Sequence, residues 1–377
     1  MKYLEQYIET FGNLNFEEKE FNEIDALIFS QLVYIDFEGI VENEKKIFIS
    51  DAAMRYYSKH SEEEIGSLIS ITQKAVHLLR ECAKSRRFGE VRLCHYVNNV
   101  NVAIDKQFSA INFILPGGRI VVAFRGTDVT VTGVKESAML SYMFPVPAQI
   151  EALYYFQETA MLSTGSITIC GHSKGGNLAV FAGVNCSNSL KKRITAVYEF
   201  DAPGFPKWFF ERYDFQQIKD RLHLITPQSS LIGRMLWHDI DPEIVHSDAG
   251  SGLKQHAVST WEIRGGEFVF DEAYDQSSDL ISAYINELPD YIGDDDLELF
   301  FNTLEYLFTE LGIKDFYDLR GFDIKKAIML INSLSTLNEE QKERFNKVIK
   351  IVATDFAKEY IAAKAKSVFC KKKTDEQ

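Results

Sequence analysis

Residues 167–177 read Ile-Thr-Ile-Cys-Gly-His-Ser-Lys-Gly-Gly-Asn, a short apolar run entering Gly171-x-Ser173-x-Gly175. A serine placed there suits nucleophilic catalysis. In a nucleophile elbow the chain turns so sharply from strand to helix that the serine backbone is strained and Oγ stands clear of the sheet. The flanks fit that geometry: residues 166–170 alternate and are β-branched, and residues 177–184 continue as small and apolar, as a packed helix requires. The plain alternative is a glycine-rich turn with an idle serine.

A second segment supplies what acyl transfer needs next. Residues 119–128, Arg-Ile-Val-Val-Ala-Phe-Arg-Gly-Thr-Asp, form another buried-strand pattern ending in a Gly-Thr turn. An oxyanion hole takes one N–H from the residue after the nucleophile, here Lys174, and one from a loop after an earlier strand, here at Thr127. Losing one such donor typically costs roughly 3–4 kcal/mol of transition-state stabilisation. Lys174 as the base of a Ser–Lys dyad fits poorly, since its side chain starts the helix and is expected to point away from Oγ.

These motifs need a framework of strands and helices. Apolar spacing predicts one helix over 16–38 and a second over 63–84. Residues 91–97 and 108–115 alternate as strands, and Pro116-Gly117-Gly118 is a hairpin turn into a strand over 120–124. A helix over 148–162 precedes the nucleophile strand, and strands over 196–200 and 222–226 follow it. Beyond 267 the pattern becomes helical at 280–288, 297–311, 324–334 and 339–369, broken by Pro289 and the acidic run Asp294-Asp295-Asp296. That run reads as a helix N-terminal face, and the tail 370–377 as disordered. The expected organisation is therefore an α/β domain over 1–266 and a helical cap or bundle over 267–377, able to cover the first domain or to bind a protein partner.

Composition narrows the function. The chain has 377 residues, 46% of them hydrophobic, enough for one α/β core of about 250 residues and an appendage. A formal charge of −14 argues against a nucleic-acid partner and against docking on anionic membrane. No apolar run reaches membrane-spanning length, and residues 1–12 lack a signal-peptide core, so the cytoplasm is the simplest location. The five cysteines (82, 94, 170, 186 and 370) are odd in number and scattered, and they suggest reduced thiols with no metal or cofactor set.

The stretches Phe124-Arg-Gly-Thr-Asp128 and Gly171-His-Ser-Lys-Gly-Gly-Asn177 resemble the Mbeg1-like family of bacterial proteins, which sits beside the class 3 (fungal-type) lipases in the α/β-hydrolase superfamily. Phe21-Asn-Glu-Ile-Asp-Ala-Leu27, Gln107-Phe-Ser-Ala110, Pro227-Gln-Ser-Ser230 and Gln255-His256 match as well, so the resemblance spans 1 to about 265. It implies an α/β-hydrolase fold, with a mostly parallel sheet and helices on both faces. It also implies a serine hydrolase of the lipase or esterase type, acting on a small acyl-ester, thioester or lipid-like substrate.

In α/β-hydrolases the triad runs Ser, acid, His along the chain, which directs attention to the late histidines. His256 is the leading base, because the resemblance places the catalytic His a few residues before a Trp on the final strand, here Trp261 on a strand expected over 258–263. His246 and His238 stay open by chain order alone. The acid departs from the lipase pattern: the loop after residue 226 reads Pro227-Gln-Ser-Ser-Leu-Ile-Gly233 and has no carboxylate. Asp201, directly after the strand over 196–200, is the first choice. Asp239, Asp241 and Asp248 are alternatives, and so is a dyad in which Ser229 or Ser230 orients His256. A lid is implied over 129–147, with Met139, Met143 and Phe144, and Phe205 and Trp208 could line an acyl pocket. The runner-up function is a catalytically weakened hydrolase-fold protein that binds partners.

Overall fold

The computed structural model describes residues 1–351 apart from 44, 129, 162–163, 251 and 314–323. Eight strands form one sheet: β1 (Ile47–Phe48), β2 (Arg92–Asn101), β3 (Lys106–Ile114), β4 (Ile120–Phe124), β5 (Ile167–His172), β6 (Ile194–Phe200), β7 (Leu222–Pro227) and β8 (Glu243–Val245). Their order in space is their order in the chain. β1–β2 and β3–β4 pair antiparallel, and β4 through β8 run parallel. The result is an α/β fold with a mostly parallel sheet.

The helices before β4 are α1 (Lys2–Phe11), α2 (Glu23–Leu32), α3 (Ile49–Lys59), α4 (Glu62–Ser67), α5 (Ser70–Lys84) and α6 (Arg86–Gly89). Between β4 and β7 lie α7 (Val131–Met139), α8 (Pro147–Ala160), α9 (Lys174–Asn185), α10 (Asn188–Lys191) and α11 (Tyr213–Gln216). After the sheet come α12 (Gln276–Ile292), α13 (Asp294–Glu310), α14 (Ile324–Thr336) and α15 (Glu339–Lys350). The chain divides into two compact units. The first comprises residues 1–99, 108–126 and 148–274, and the second comprises 100–107, 127–147 and 275–377.

In the first unit the period of two along each strand divides the apolar side chains between two faces. Val121, Ala123, Cys170, Tyr198, Phe200 and Ile225 belong to the core that includes α2, which is buried along nearly its whole length. On the opposite face α9 packs against β4, β5 and β6, with Ile169 and Val197 close to Gly183. A strand buried on both faces needs a near-continuous apolar sequence, which is how 120–124 and 167–172 read.

The N-terminal helices differ from the sequence expectation. The helix expected over 16–38 starts only at Glu23. Asn22 caps it by accepting from the N–H groups of Ile24 and Asp25, while Asp25 accepts from Asn22 N–H. Upstream, the carbonyls of Leu14, Asn15, Lys19 and Glu20 turn toward the buried Arg87 guanidinium, and the segment forms turns, with one i to i+4 bond from Lys19 N–H to Asn15 O at 3.0 Å. Residues 63–84 form two helices, because Leu68 is extended (φ −63°, ψ 155°) between α4 and α5.

In the second unit α7 packs against α13. Lys135 on α7 donates to Asp105 Oδ1 at 2.8 Å and to Glu305 Oε2 on α13 at 2.5 Å. Tyr142 stacks on Phe301 with ring centroids 6.3 Å apart. The segment expected as a lid thus belongs to the same unit as the C-terminal helices. The acidic run opens α13, where Asp296 receives Arg344 Nε at 2.5 Å and Lys347 Nζ at 2.6 Å. Pro289 does not end a helix as expected. It lies inside α12, and the break comes at Gly293, whose φ of +86° only glycine adopts freely. The expected disordered tail, Cys370 included, and the helix beyond 351 lie outside the described residues.

Candidate active site

At the carboxyl end of β5 the chain turns into α9 through Ser173, whose backbone sits at φ +59°, ψ −135°. That region is sparsely populated for any residue with a Cβ and costs on the order of 1–3 kcal/mol, so the surroundings must enforce it. They do so by crowding: a Cβ on Gly171 would lie 2.1 Å from the carbonyl carbon of Gly175. Ser173 N–H donates to Phe200 O at 2.9 Å, fixing the elbow to the end of β6. Lys174 opens α9 and is buried.

β6 ends one residue before Asp201. Its backbone also takes a positive φ (+44°), and its N–H donates to Ile225 O at 2.8 Å. The turn that follows is fastened from α9. Asn177 Nδ2 donates to the carbonyls of Pro203 (3.1 Å) and Gly204 (2.8 Å), while its Oδ1 accepts from Gln149 Nε2 at 2.8 Å. The Asp201 carboxylate is fully buried. Oδ1 accepts from the Ser230 hydroxyl and, at 3.0 Å, from Gly233 N–H. Oδ2 lies 2.6 Å from His256 Nδ1.

His256 comes from the loop beyond β8. Gln255, just before it, accepts from Ser229 N–H at 2.8 Å through its side chain, and its carbonyl accepts from Trp261 Nε1 at 2.8 Å. Gln228 brackets Ser247 in the same loop through both amide atoms (2.8 and 2.9 Å). The strand expected over 258–263 is instead a 3₁₀ turn over Val258–Thr260. Trp261 then makes an isolated antiparallel bridge with Ser247, and Ile263–Arg264 pairs with Glu267–Phe268, while the indole bond ties the turn to Gln255. The His172 and His256 rings lie 4.4 Å apart, which sets His256 beside the elbow. Among the described residues no hydrogen bond joins Ser173 Oγ to His256; such bonds are often long without substrate and tighten during reaction.

The other candidates go elsewhere. His246 pairs with Asp271 at 2.9 Å, Asp239 with Lys219 at 2.8 Å, Asp248 accepts from Tyr3 at 3.1 Å, and Asp241 is exposed. His238 is half-buried beside Glu199 (3.8 Å), and desolvation pushes its pKa down to about 4. Ser230, weighed as a partner for His256, serves Asp201. Phe205 stacks on Phe209 at 4.2 Å within a buried aromatic cluster that includes Phe210 and Phe215, a core position; Trp208 is half exposed. Thr127 belongs to the second unit, where its hydroxyl bonds to Ser137, and so do Met139 (buried), Phe144 (half-buried) and Met143 (exposed).

Four residues that sequence reasoning did not place in the site, Asn177, Gln228, Gly233 and Gln255, hold its loops. Asn177, Gln228 and Gln255 stood in the matched motifs, and a Gln beside a candidate base with no chemistry of its own was the available signal. Among the described residues no group of three or more His, Cys, Asp or Glu could hold a metal. No described helix is long and apolar enough to cross a membrane.

A mostly parallel α/β sheet whose fifth strand turns through a positive-φ serine into a buried helix defines the class of protein. The Mbeg1-like family profile matches residues 82–306, well over half of the chain, and the chain belongs to that family. No curated protein matches it. Among solved structures it is similar to one described as M37 lipase, at 16% identity and a TM-score of 0.36, over 57% of this chain and 70% of that one.

Proposed function

We propose that this protein is a serine hydrolase that cleaves an acyl ester, with Ser173 as nucleophile, His256 as general base and Asp201 as the acid that orients it. The observation that carries this reading is the 2.6 Å pair between His256 Nδ1 and a buried Asp201, one strand over from the elbow. A carboxylate accepting from Nδ1 keeps the ring proton on that nitrogen and leaves the Nε2 lone pair as the base. Nε2 takes the Ser173 proton as Oγ bonds to the acyl carbon. The oxyanion is held by Lys174 N–H. Collapse breaks the ester bond, and the imidazolium returns its proton to the leaving alkoxide. Water then repeats the sequence on the acyl-enzyme and releases the acid.

The missing carboxylate after Thr226 was the feature that favoured a catalytically weakened binding protein. Asp201 occupies that chemical role here, and the loop without the acid donates Ser230 and Gly233 to it. The test is intact-mass labelling with a fluorophosphonate. One adduct on the wild type, absent from Ser173→Ala and strongly slowed in His256→Ala, is expected. Absence of any adduct on a folded wild-type protein would reject the hydrolase reading.

A further inference from the structure

His172 is the residue between Gly171 and the nucleophile, and its ring is almost completely enclosed. One ring nitrogen, Nε2, lies 2.9 Å from the backbone carbonyl oxygen of His256; the other, Nδ1, lies 3.3 Å from the hydroxyl of Tyr34. Burial, reinforced by the charge of the neighbouring His256, lowers the His172 pKa to about 3, against Asp201 and the hydrogen bond to the His256 carbonyl, which raise it. The neutral ring therefore has one N–H to give. A carbonyl can only accept, so that proton sits on Nε2, Nδ1 is an acceptor, and the Tyr34 hydroxyl is the donor to it. Tyr34, just beyond α2, is wedged in turn: a Cβ on Gly126 would lie 2.2 Å from its hydroxyl.

His256 is therefore held from two directions, its ring by Asp201 and its carbonyl by His172. We propose that His172, oriented by Tyr34, is a positioning residue that fixes the backbone of His256 and so aims His256 Nε2 at Ser173. This role rests on the serine-hydrolase reading. It explains why a histidine stands in the elbow although its ring does not serve the nucleophile directly. A side chain able to donate from the same depth could replace it, and an apolar one could not.

The test follows the rate of fluorophosphonate acylation by intact mass, with thermal melts of each variant and 15N NMR of the histidine rings in the wild type. His172→Leu is expected to slow acylation by about 10- to 100-fold, the range a small misplacement of a catalytic group produces. His172→Gln, whose amide can donate to the same carbonyl, is expected to recover most of that loss, and Tyr34→Phe to lose several-fold. In the spectra His172 is expected to carry its proton on Nε2 and to stay neutral from pH 8 down to pH 5. Acylation of His172→Leu at the wild-type rate, or a His172 ring protonated on Nδ1, would overturn the role while leaving the hydrolase reading intact. A wild type that takes no label would overturn that reading and this role together, whatever the ring spectra show.

Discussion

Asp25 and Asp201 are both fully buried carboxylates of the same unit, and they are satisfied in opposite ways. Asp25 faces a guanidinium: Arg87 Nε reaches Oδ1 at 2.8 Å and Nη2 reaches Oδ2 at 2.5 Å, with Tyr7 adding a bond at 3.2 Å. Arginine never gives up its charge, so this pair is permanent. Arg87 spends its other donors on the carbonyls of the loop before α2, and the cluster stitches the N-terminal segments together. Asp201 faces an imidazole whose side chain keeps about a quarter of its surface exposed, with two neutral donors behind it. That contact uses only one of the two ring nitrogens. The first arrangement fixes a fold and the second leaves one partner free to do work.

Substitutions at the two carboxylates are expected to separate rate from stability. Asp201→Asn places an amide donor against His256 Nδ1 and drives the proton to Nε2, the wrong tautomer for a base. The acylation rate should fall by about 10⁴-fold, as loss of tautomer control costs in triads, while the melting temperature changes little. A rate near wild type would remove Asp201 from the mechanism. Asp25→Ala should do the reverse, lowering unfolding free energy in urea by about 3–5 kcal/mol because Arg87 is left buried and unpaired. A loss below about 1 kcal/mol would mean that water reaches that guanidinium.

Ser230→Ala sharpens the contrast on a smaller scale. Asp201 keeps the Gly233 amide and loses the hydroxyl, and the expected effect is about tenfold in acylation rate. An unchanged rate would assign the orientation of Asp201 to its backbone alone.

Glu199, two residues before Asp201, completes the series as a buried carboxyl whose Oε2 makes no hydrogen bond among the described residues and lies 3.8 Å from His238 Nδ1. Desolvation raises its pKa well above the ordinary 4.5, so the folded protein holds a proton that the unfolded chain releases. Its contribution to stability is full below the unfolded value and is lost as pH climbs toward the folded one. Glu199→Gln should therefore stabilise by on the order of 1 kcal/mol at pH 8 and by nothing at pH 4. Equal melting-temperature gains at both pH values would show that the proton is not the cause.

What could be read from the sequence was what is decided locally. The elbow is legible because Gly171 is crowded by Gly175 four residues on and the flanking strand and helix announce themselves, although Gly175 itself is crowded from the distant Phe124 carbonyl. Asp201 was one of four aspartates beside a dyad without an acid, because an aspartate after a strand looks like any turn residue until Ser230 and Gly233 are brought to it. Tyr34 left no trace, since the ring it touches is 138 residues away. The strand expected around Trp261 starts later than its alternation suggests, because residues 258–260 form a 3₁₀ turn tied by the indole to Gln255 and pairing begins only at Trp261 and Ile263.

The agreement between strand order and chain order bears on how the protein is made. Each new strand emerging from the ribosome finds its partner already in place, so β4 through β7 can assemble as they appear, without waiting for a later segment. The chemistry does not share that schedule. His256 follows His172 by 84 residues, which at about 5–20 residues per second is roughly 4–17 s of further synthesis. During that interval a nascent chain presents the elbow without His256, so the proposed nucleophile is in position well before its proposed base.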